Sequence, residues 1–179
     1  MIGNDSEIQS HSWLFDSSVG NNSLITPFAK ISFSHIGDTC KIGCEMRKST
    51  IGNNVKASHT TILIENVIAG NNINFGGVFT AANYDGKQKA TLRIGNNCFL
   101  GTYLVAVGNF KTGERVIGDN TYIAANITLR NDVPSGHTVY PTSIAKHLTT
   151  KRPELEIISQ NPDYTIIKWD KVTEEGLLQ

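Results

Sequence analysis

The sequence lacks the features of several large classes of protein. It has 16 basic and 16 acidic residues among 179, so its formal net charge at pH 7 is zero, and it contains neither a basic block nor a row of aromatic residues. Nucleic-acid binding is not expected, because that function clusters lysine and arginine against phosphates. No apolar run approaches the roughly 18 residues of a membrane span. Residues 1–7 are polar and acidic, unlike a secretory signal, so no membrane partner is expected.

Cysteine is also scarce. The three cysteines, Cys40, Cys44 and Cys98, are an odd number. A disulfide framework is therefore not predicted, and a reducing compartment is, which gives a cytoplasmic location. Cys40 and Cys98 occupy inward positions of the repeat described next, so we predict that both are small core residues.

What the sequence does contain is a six-residue repeat of aliphatic or small residues, most of them followed by a tiny residue. Its members fall in runs spaced by six: Val19, Ile25 and Ile31; after a one-residue slip, Ile36 and Ile42; then Ile51, Ala57, Leu63, Ala69, Phe75 and Ala81; Ile94, Leu100 and Ala106; and Ile117, Ile123 and Leu129. The positions four after the central members are again apolar or small, namely Val55, Thr61, Val67, Ile73 and Phe79. A strand alternates with period two and a helix with period 3.6, and neither produces a strict period of six. The repeat predicts an all-β fold, a parallel β-helix in which three hexads of roughly 18 residues make one coil of a triangular prism, with about six coils.

Two interruptions of the repeat predict extruded loops. The step from Ala81 to Ile94 is 13 residues and the step from Ala106 to Ile117 is 11 residues, each several residues more than one hexad. We expect loops at residues 82–93 and 107–116. Loops on a rigid scaffold are where binding and catalysis concentrate.

The repeat stops at about Ile144. We therefore predict a β-helix domain over residues 1–143 and a C-terminal extension over residues 144–179. A short helix starting at Pro153 and a strand at 164–169 are expected there. The extension either caps the open end of the prism or forms an arm onto a neighbouring chain.

One loop is more specific than the repeat. Residues 83–89, with the sequence NYDGKQK, together with residues 45–52 and 58–60, resemble the acetyltransferase domain of the bifunctional N-acetylglucosamine-1-phosphate uridyltransferase/glucosamine-1-phosphate acetyltransferase family. The resemblance runs in the same order over residues 27–133. It implies a left-handed hexapeptide β-helix and a transferase that moves an acetyl group from acetyl-CoA to the amine of an amino sugar, phosphorylated or nucleotide-linked. We expect a homotrimer with clefts between subunits, because a single prism offers flat sides and no deep pocket.

His59 is the predicted general base. It comes two residues after Ala57, hence near a corner and outside the core. The amine attacks the thioester as free –NH2 and loses a proton as the bond forms, and a histidine with a reference pKa of about 6.5 suits that transfer. The resemblance assigns this role to His59; without it, a surface histidine is the ordinary interpretation. His35 is expected to face inward and away from His59, and the H-x4-H pair of γ-class carbonic anhydrases is missing, so no metal is predicted.

The resemblance implies further roles in the loop. Asn83 and Tyr84 are placed beside the reacting amide, and Lys89 is placed within reach of the sugar or its phosphate. The amide of Asn83 offers two donors and one acceptor to the thioester carbonyl or the amine. Asp85-Gly86 is also an ordinary turn signal, so a plain hairpin is the alternative.

Three more residues are implied to bind the acceptor. Glu45 matches a glutamate near the amine, with a solvated surface acid as the alternative. Arg47 stands where the family has a lysine and can bind phosphate through two parallel hydrogen bonds. Asn74 matches a sugar-binding asparagine, and a turn asparagine is the alternative.

The cofactor positions implied by the resemblance are small residues of the later coils. Gly77, Thr102 and Ala125 are expected to line the pantetheine arm of CoA, although small residues are also the default at hexad corners. Lys146 and Lys151 are the candidates for contact with the CoA 3′-phosphate.

The chain departs from the family at two positions. Ser32 stands where the family has an arginine, with only Lys30 able to compensate, and Ile62 stands where it has a tyrosine. Both lost groups touch the sugar phosphate, so glucosamine-1-phosphate as the acceptor is in doubt more than acetyl transfer itself. An O-acetyltransferase or longer-chain acyltransferase on the same scaffold stays open, as does a catalytically silent protein with a structural or regulatory role.

Overall fold

The chain winds around three parallel β-sheets in turn. The computed structural model describes residues 1–151 and 155–168. Successive strands enter sheet I, sheet II and sheet III, and over residues 7–129 strands three places apart in the sequence pair with each other. The predicted all-β class is confirmed, and parallel pairing at a spacing of about 4.8 Å is what a β-helix requires.

The strands are short, as expected for a prism with narrow sides. Sheet I contains Glu7–Ile8, Leu24–Ile25, Lys41–Ile42, Val55–Ala57, Ile73–Phe75, Cys98–Leu100, Tyr122–Ile123 and His137–Pro141. Sheet II contains Trp13–Phe15, Lys30–Ser32, Glu45–Arg47, Ile62–Glu65, Phe79–Ala82, Leu104–Val107 and Ile127–Leu129. Sheet III contains Ser18–Val19, His35–Ile36, Thr50–Ile51, Val67–Ala69, Thr91–Ile94 and Glu114–Ile117. We call the turns from sheet I to II, from II to III and from III to I the first, second and third corners.

A column of inward side chains fills the prism. All but one of the predicted inward residues of the hexads are buried, and both cysteines predicted in the core, Cys40 and Cys98, are buried as well. Cys44 is also buried. The core is one continuous apolar column, because the side chains of each coil stack on those of the next.

Asparagines hold the third corner. The side-chain oxygen of Asn71 accepts the backbone N–H of Asn53 at 2.7 Å, and that of Asn96 accepts the N–H of Asn71 at 2.9 Å. The next residues, Asn72 and Asn97, have positive φ values of 57° and 56°, which asparagine tolerates better than most residues do. Paired asparagines at hexad corners thus satisfy backbone donors that the strands leave unpaired.

The predicted register is wrong at one coil. Leu63 is only partly buried and Thr61 is exposed, whereas Ile62 and Ile64 point into the core. The first corner of this coil runs from Ala57 to Ile62 and is one residue longer than the corners of the following coils, which shifts the inward positions by one. His35 was also expected to face inward; it is exposed, its Nδ1 lies 2.8 Å from Ser18 Oγ, and Ile36 takes the core position.

Both predicted loops leave the prism at the second corner. They are shorter than expected, at residues 83–90 and 108–113, because the flanking strands extend further than the hexads suggested. No helix within 1–151 and 155–168 is long and apolar enough to cross a membrane.

The C-terminal segment folds back on the last coil. A helix covers Thr142–Lys151, and strands Glu156–Gln160 and Tyr164–Lys168 form an antiparallel pair of which Tyr164–Lys168 joins sheet I. Tyr164 belongs to the main core, and its hydroxyl accepts the backbone N–H groups of Arg130 and Asn131 at 3.0 Å. The strand expected at 164–169 is present over Tyr164–Lys168, while residue 169 and the helix start expected at Pro153 lie outside the described residues.

Candidate functional site

The first corner carries His59. Strand Val55–Ala57 ends one residue before Ser58, and His59 follows in an irregular turn that leads to strand Ile62–Glu65. Its imidazole is exposed, and among the described residues none forms a hydrogen bond or ion pair with it. The side chain is therefore accessible to a molecule that approaches the prism from outside.

The residues predicted to line CoA stack along the same corner in the following coils. Gly77, Thr102 and Ala125 come directly after the paired corner positions Gly76, Gly101 and Ala124. The hydroxyl of Thr61, next to the His59 turn, donates to the backbone oxygen of Gly77. His59 and the three small residues thus lie on one edge of the prism.

Space beside Gly77 is open. A Cβ atom at this glycine would have one neighbour within 4 Å, the Oγ1 atom of Thr102 at 3.5 Å. Other corner glycines are different: a Cβ at Gly76 would lie 2.4 Å from the backbone nitrogen of Thr102. Gly76 is required by the close approach of coils, whereas Gly77 leaves room on the outside.

The loop at residues 83–90 is a short hairpin. Asp85 Oδ1 accepts the backbone N–H groups of Lys87 and Gln88 at 2.9 and 2.8 Å, and Gly86 has a positive φ of 94°. The backbone N–H groups of Gln88 and Lys87 lower the pKa of the Asp85 carboxyl, because they stabilise its charged form. The Asp-Gly turn therefore closes a hairpin, as the alternative interpretation expected, and the hairpin still presents Tyr84 and Lys89.

Four charged side chains meet at the second corner, where strands of sheet II end beside this loop. Arg47 Nε lies 3.4 Å from Glu45 Oε1, and Arg47 Nη2 lies 3.2 Å from Glu65 Oε2. The other oxygen of Glu65 forms an ion pair with Lys89. We call Glu45, Arg47, Glu65 and Lys89 the charged cluster; its formal charge is zero.

The predicted loop residues adjoin the charged cluster. Asn83 is buried, and its side-chain nitrogen donates to the backbone oxygen of Glu65. Tyr84 is 59% exposed, its hydroxyl donates to the oxygen of Gly86 at 2.9 Å, and Lys89 Nζ lies 5.9 Å from its ring centre. The structure therefore brings five predicted residues together, namely Glu45, Arg47, Asn83, Tyr84 and Lys89.

The two groups of residues lie at opposite edges of sheet II. His59 precedes strand Ile62–Glu65 and the charged cluster is at the end of that strand. A parallel strand rises about 3.3 Å per residue, so this strand alone separates them by roughly 10 Å. Within one chain, therefore, the predicted base and the predicted loop residues are not in contact.

Asn74 belongs to neither group. It lies in strand Ile73–Phe75 on the outer face of sheet I, between Lys56 and Phe99 of the adjacent coils. The alternative of a turn asparagine is therefore wrong. Lys146 and Lys151 lie on the C-terminal helix.

Both departures from the family fall on buried positions. Ile62 is 1% exposed and faces the core, since the longer corner makes it the first inward residue of its strand. Ser32 is 6% exposed, next to Arg47 in the pairing of strands Lys30–Ser32 and Glu45–Arg47. Lys30, the expected substitute for the missing arginine, is paired in register with Glu45.

The sequence pattern did not identify Glu65 as a site residue. It follows the register shift at the first corner, so the hexads gave it no special position. The structure pairs Glu65 with Arg47 in adjacent strands. To identify Glu65 from the sequence, residues must be counted from strand to strand with one extra residue allowed at the first corner.

Comparison with known proteins bears on this site. A protein named bifunctional protein GlmU from Clostridium perfringens is 44% identical over 140 residues, which are 75% of this chain and 29% of that protein. GlmU from Clostridium acetobutylicum is 43% identical over 141 residues, 76% of this chain and 29% of that protein. The chain is similar to GlmU. The resemblance to this family indicated by the loop at 83–89 is confirmed, and the chain spans less than a third of the length of these relatives. No protein-family model matches the chain.

Solved structures support the fold alone. A structure described as an acetyltransferase from Desulfovibrio desulfuricans superposes with a TM-score of 0.53 at 17% identity, over 93% of this chain and 33% of that one. The UDP-N-acetylglucosamine acyltransferase from Campylobacter jejuni superposes with a TM-score of 0.51 at 16% identity, over 77% of this chain and 66% of that one. Both share the arrangement of the strands.

Proposed function

We propose that the protein is an acetyl-CoA-dependent N-acetyltransferase that acts on an amino sugar. The observation that carries the proposal is the common edge of His59 and the small residues Gly77, Thr102 and Ala125. An open strip beside an accessible imidazole is what a thin thioester arm and a base for its attacking amine both need. The similarity to GlmU supports the same activity.

The chemistry follows from this arrangement. The amine nitrogen attacks the thioester carbonyl, the N–C bond forms and the C–S bond breaks, which yields the N-acetyl sugar and CoA. His59 accepts the proton that the nitrogen loses and returns it to the departing thiolate. Asn83 and Tyr84 are the candidates for contact with the carbonyl and the amine. Amide and phenol groups donate hydrogen bonds to the negative charge that develops on the carbonyl oxygen, and their oxygens can accept a hydrogen bond from the amine.

Arg47 and Lys89 are the proposed contacts for an anionic part of the acceptor. Both side chains are more than 40% exposed, so their donors are accessible from outside. Glu45 and Asn74 are proposed to bind the amine and the sugar. Ser32 is neutral, which favours an acceptor that needs fewer cations than glucosamine-1-phosphate does.

Several properties belong to this proposal. We propose a homotrimer, in which His59 of one chain meets the loop at 83–90 of a neighbour, and a location in the cytoplasm. The β-helix is proposed to be left-handed with about six coils, followed by a separate extension from residue 144. Neither a metal, a nucleic acid nor a membrane takes part.

The proposal is tested by release of free CoA. Purified protein is incubated with acetyl-CoA and a panel of amino sugars: the free sugars, their phosphates and their nucleotide conjugates. The matched sugars with a hydroxyl in place of the amine serve as controls, and binding of CoA is measured by calorimetry.

We expect CoA release with at least one amino sugar and none with its hydroxyl counterpart. Release with the hydroxyl sugar supports the O-acetyltransferase instead. Absence of both CoA release and CoA binding supports the silent scaffold and contradicts the proposal.

A further inference from the structure

Glu65 lies where three parts of the site meet. Its carboxylate contacts Arg47 on the neighbouring strand and Lys89 at the end of the loop, and its backbone oxygen accepts the side chain of Asn83 at the start of the loop. We propose that Glu65 is a positioning residue that holds the loop at 83–90, and with it Lys89 and Tyr84, against sheet II. This inference rests on the proposed acetyl transfer for its kinetic consequences, but not for its structural ones.

The carboxylate of Glu65 is less exposed to solvent than the two cations that it contacts. The side chain of Glu65 is 15% exposed, whereas those of Lys89 and Arg47 are 41% and 47% exposed. The carboxylate is therefore behind the two cations, and both cations turn part of their surface to solvent. Lysine has a long flexible stem, so an anchoring carboxylate is what limits the positions of its ammonium group.

The loop is attached at both ends to two consecutive residues. Asn83 donates to the backbone of Glu65, and the side chain of Asn66 donates to the backbone oxygen of Ala90 at 2.9 Å. Asn66 has a positive φ of 52°, which turns its side chain at the second corner. Glu65 and Asn66 therefore bind the two ends of the loop.

The carboxylate acts on Tyr84 through Lys89. The ammonium group of Lys89 is paired with Glu65 and lies 5.9 Å from the ring centre of Tyr84. A cation over an aromatic ring is attracted to its face, so fixing the cation restricts the ring. Without the Glu65 carboxylate, the hairpin keeps its Asp-Gly turn but loses the ion pair that attaches it to sheet II.

The test is a double-mutant cycle of Glu65→Gln with Lys89→Met. We expect Glu65→Gln to lower kcat/KM for the amino sugar about tenfold, the effect of losing two partly shielded ion pairs. In the Lys89→Met background the same substitution should cost only about twofold, because partners in one network are not additive. CoA affinity should not change, and Glu65→Asp should recover part of the activity.

Glu114→Gln is the matched control. Glu114 pairs with Arg93 at 2.8 Å on sheet III, and its side chain is 37% exposed, more than the 15% of Glu65. Among the described residues, Glu114 forms no ion pair with the charged cluster. It should leave kcat/KM unchanged. A rise in kcat/KM on Glu65→Gln would mean that the carboxylate competes with the acceptor, and equal losses in both Lys89 backgrounds would mean that it acts independently of Lys89. Either result overturns the inference.

A second measurement does not depend on activity. The backbone N–H of Ala90, which is buried, donates to the oxygen of Asn83 at 2.9 Å and closes the loop. Its hydrogen exchange should be about tenfold faster in Glu65→Gln and unchanged in Glu114→Gln, because local opening sets that rate. Unchanged exchange in Glu65→Gln refutes the positioning role, whether or not any amino sugar is acetylated.

Discussion

At the scale of the residue, His59 is the group on which the proposed reaction depends. Replacing it by alanine removes a proton acceptor without altering the core, since the imidazole is exposed. General-base catalysis contributes about 10²–10⁴-fold, so kcat of His59→Ala should fall by that order. Affinity for CoA should stay the same, because in the proposed arrangement the imidazole faces the amine. Steady-state kinetics and calorimetry measure both.

His35 supplies the control for that experiment. It is another exposed histidine, on sheet III, and its side chain is bonded only to Ser18 among the described residues. His35→Ala should keep wild-type kcat. Full activity of His59→Ala on an acceptor that the native protein uses would contradict the role of His59 as base.

The cysteines give a prediction about chemical reactivity. Burial raises the pKa of Cys44 to about 12 and that of Cys98 to about 11, and it also raises the pKa of Cys40. The thiolate is the reactive form, and a raised pKa leaves little of it at pH 8. The folded protein should therefore react with a thiol reagent about 100-fold more slowly than the chain in denaturant.

This prediction is checked by following the reagent at pH 8 with and without denaturant. Three thiols should appear on unfolding, which is the number in the sequence. Rapid reaction of any thiol in the native protein would show that its position is not closed to solvent. The result also determines the background of the CoA-release assay, which detects thiols.

At the scale of the element, the corner glycines separate fold from function. Gly77→Ala adds a methyl group where only Thr102 Oγ1 is near, at 3.5 Å. The melting temperature should change little. If the pantetheine arm lies along this corner, the methyl group blocks it, and CoA affinity should fall about tenfold or more by calorimetry.

Gly52→Ala is the contrasting variant. Its Cβ would lie 2.4 Å from Asn71 Oδ1 and 2.7 Å from the backbone oxygen of Gly70, so the asparagine column of the third corner must shift. Overpacking of this kind costs about 1–3 kcal/mol of folding free energy. It should lower stability without a specific effect on CoA. Unchanged CoA affinity in Gly77→Ala would place the cofactor elsewhere.

The elements also show what a sequence can predict. The core positions follow from local spacing, because each inward residue is set by the hexad before it, and Ile25, Leu100 and Ile123 are buried as expected. The prediction failed at Thr61 and Leu63 because the corner before them is one residue longer than the corners of the following coils. The spacing of the hexads alone does not show where such an extra residue lies.

Contacts between coils are harder to predict than burial within one. Glu65 meets Arg47 because two strands 18 residues apart are in register, and it meets Lys89 because a loop of eight residues folds back by one coil. Both contacts depend on the length of every turn between the residues that meet. The residues of the candidate site were therefore identified by family resemblance, and the residue that connects them was not.

At the scale of the whole molecule, the separation across sheet II determines what the assembly must do. The imidazole and the charged cluster are at opposite edges of one sheet. A cyclic trimer places an edge of one prism against the next, so the first corner of one chain can meet the second corner of its neighbour. The proposed activity thus requires the proposed assembly.

Mixing two inactive variants tests this requirement. Sedimentation equilibrium should first give three times the chain mass of 19.5 kDa. His59→Ala and Asn83→Ala chains are then refolded together in equal amounts. If each site takes His59 from one chain and Asn83 from the next, every mixed trimer contains one intact site of three, and the mixture should recover roughly a quarter of wild-type activity. If both residues act within one chain, no mixed trimer has an intact site, and activity stays at the level of the separate variants. Recovery therefore depends on the interface itself, which neither variant measured alone can show.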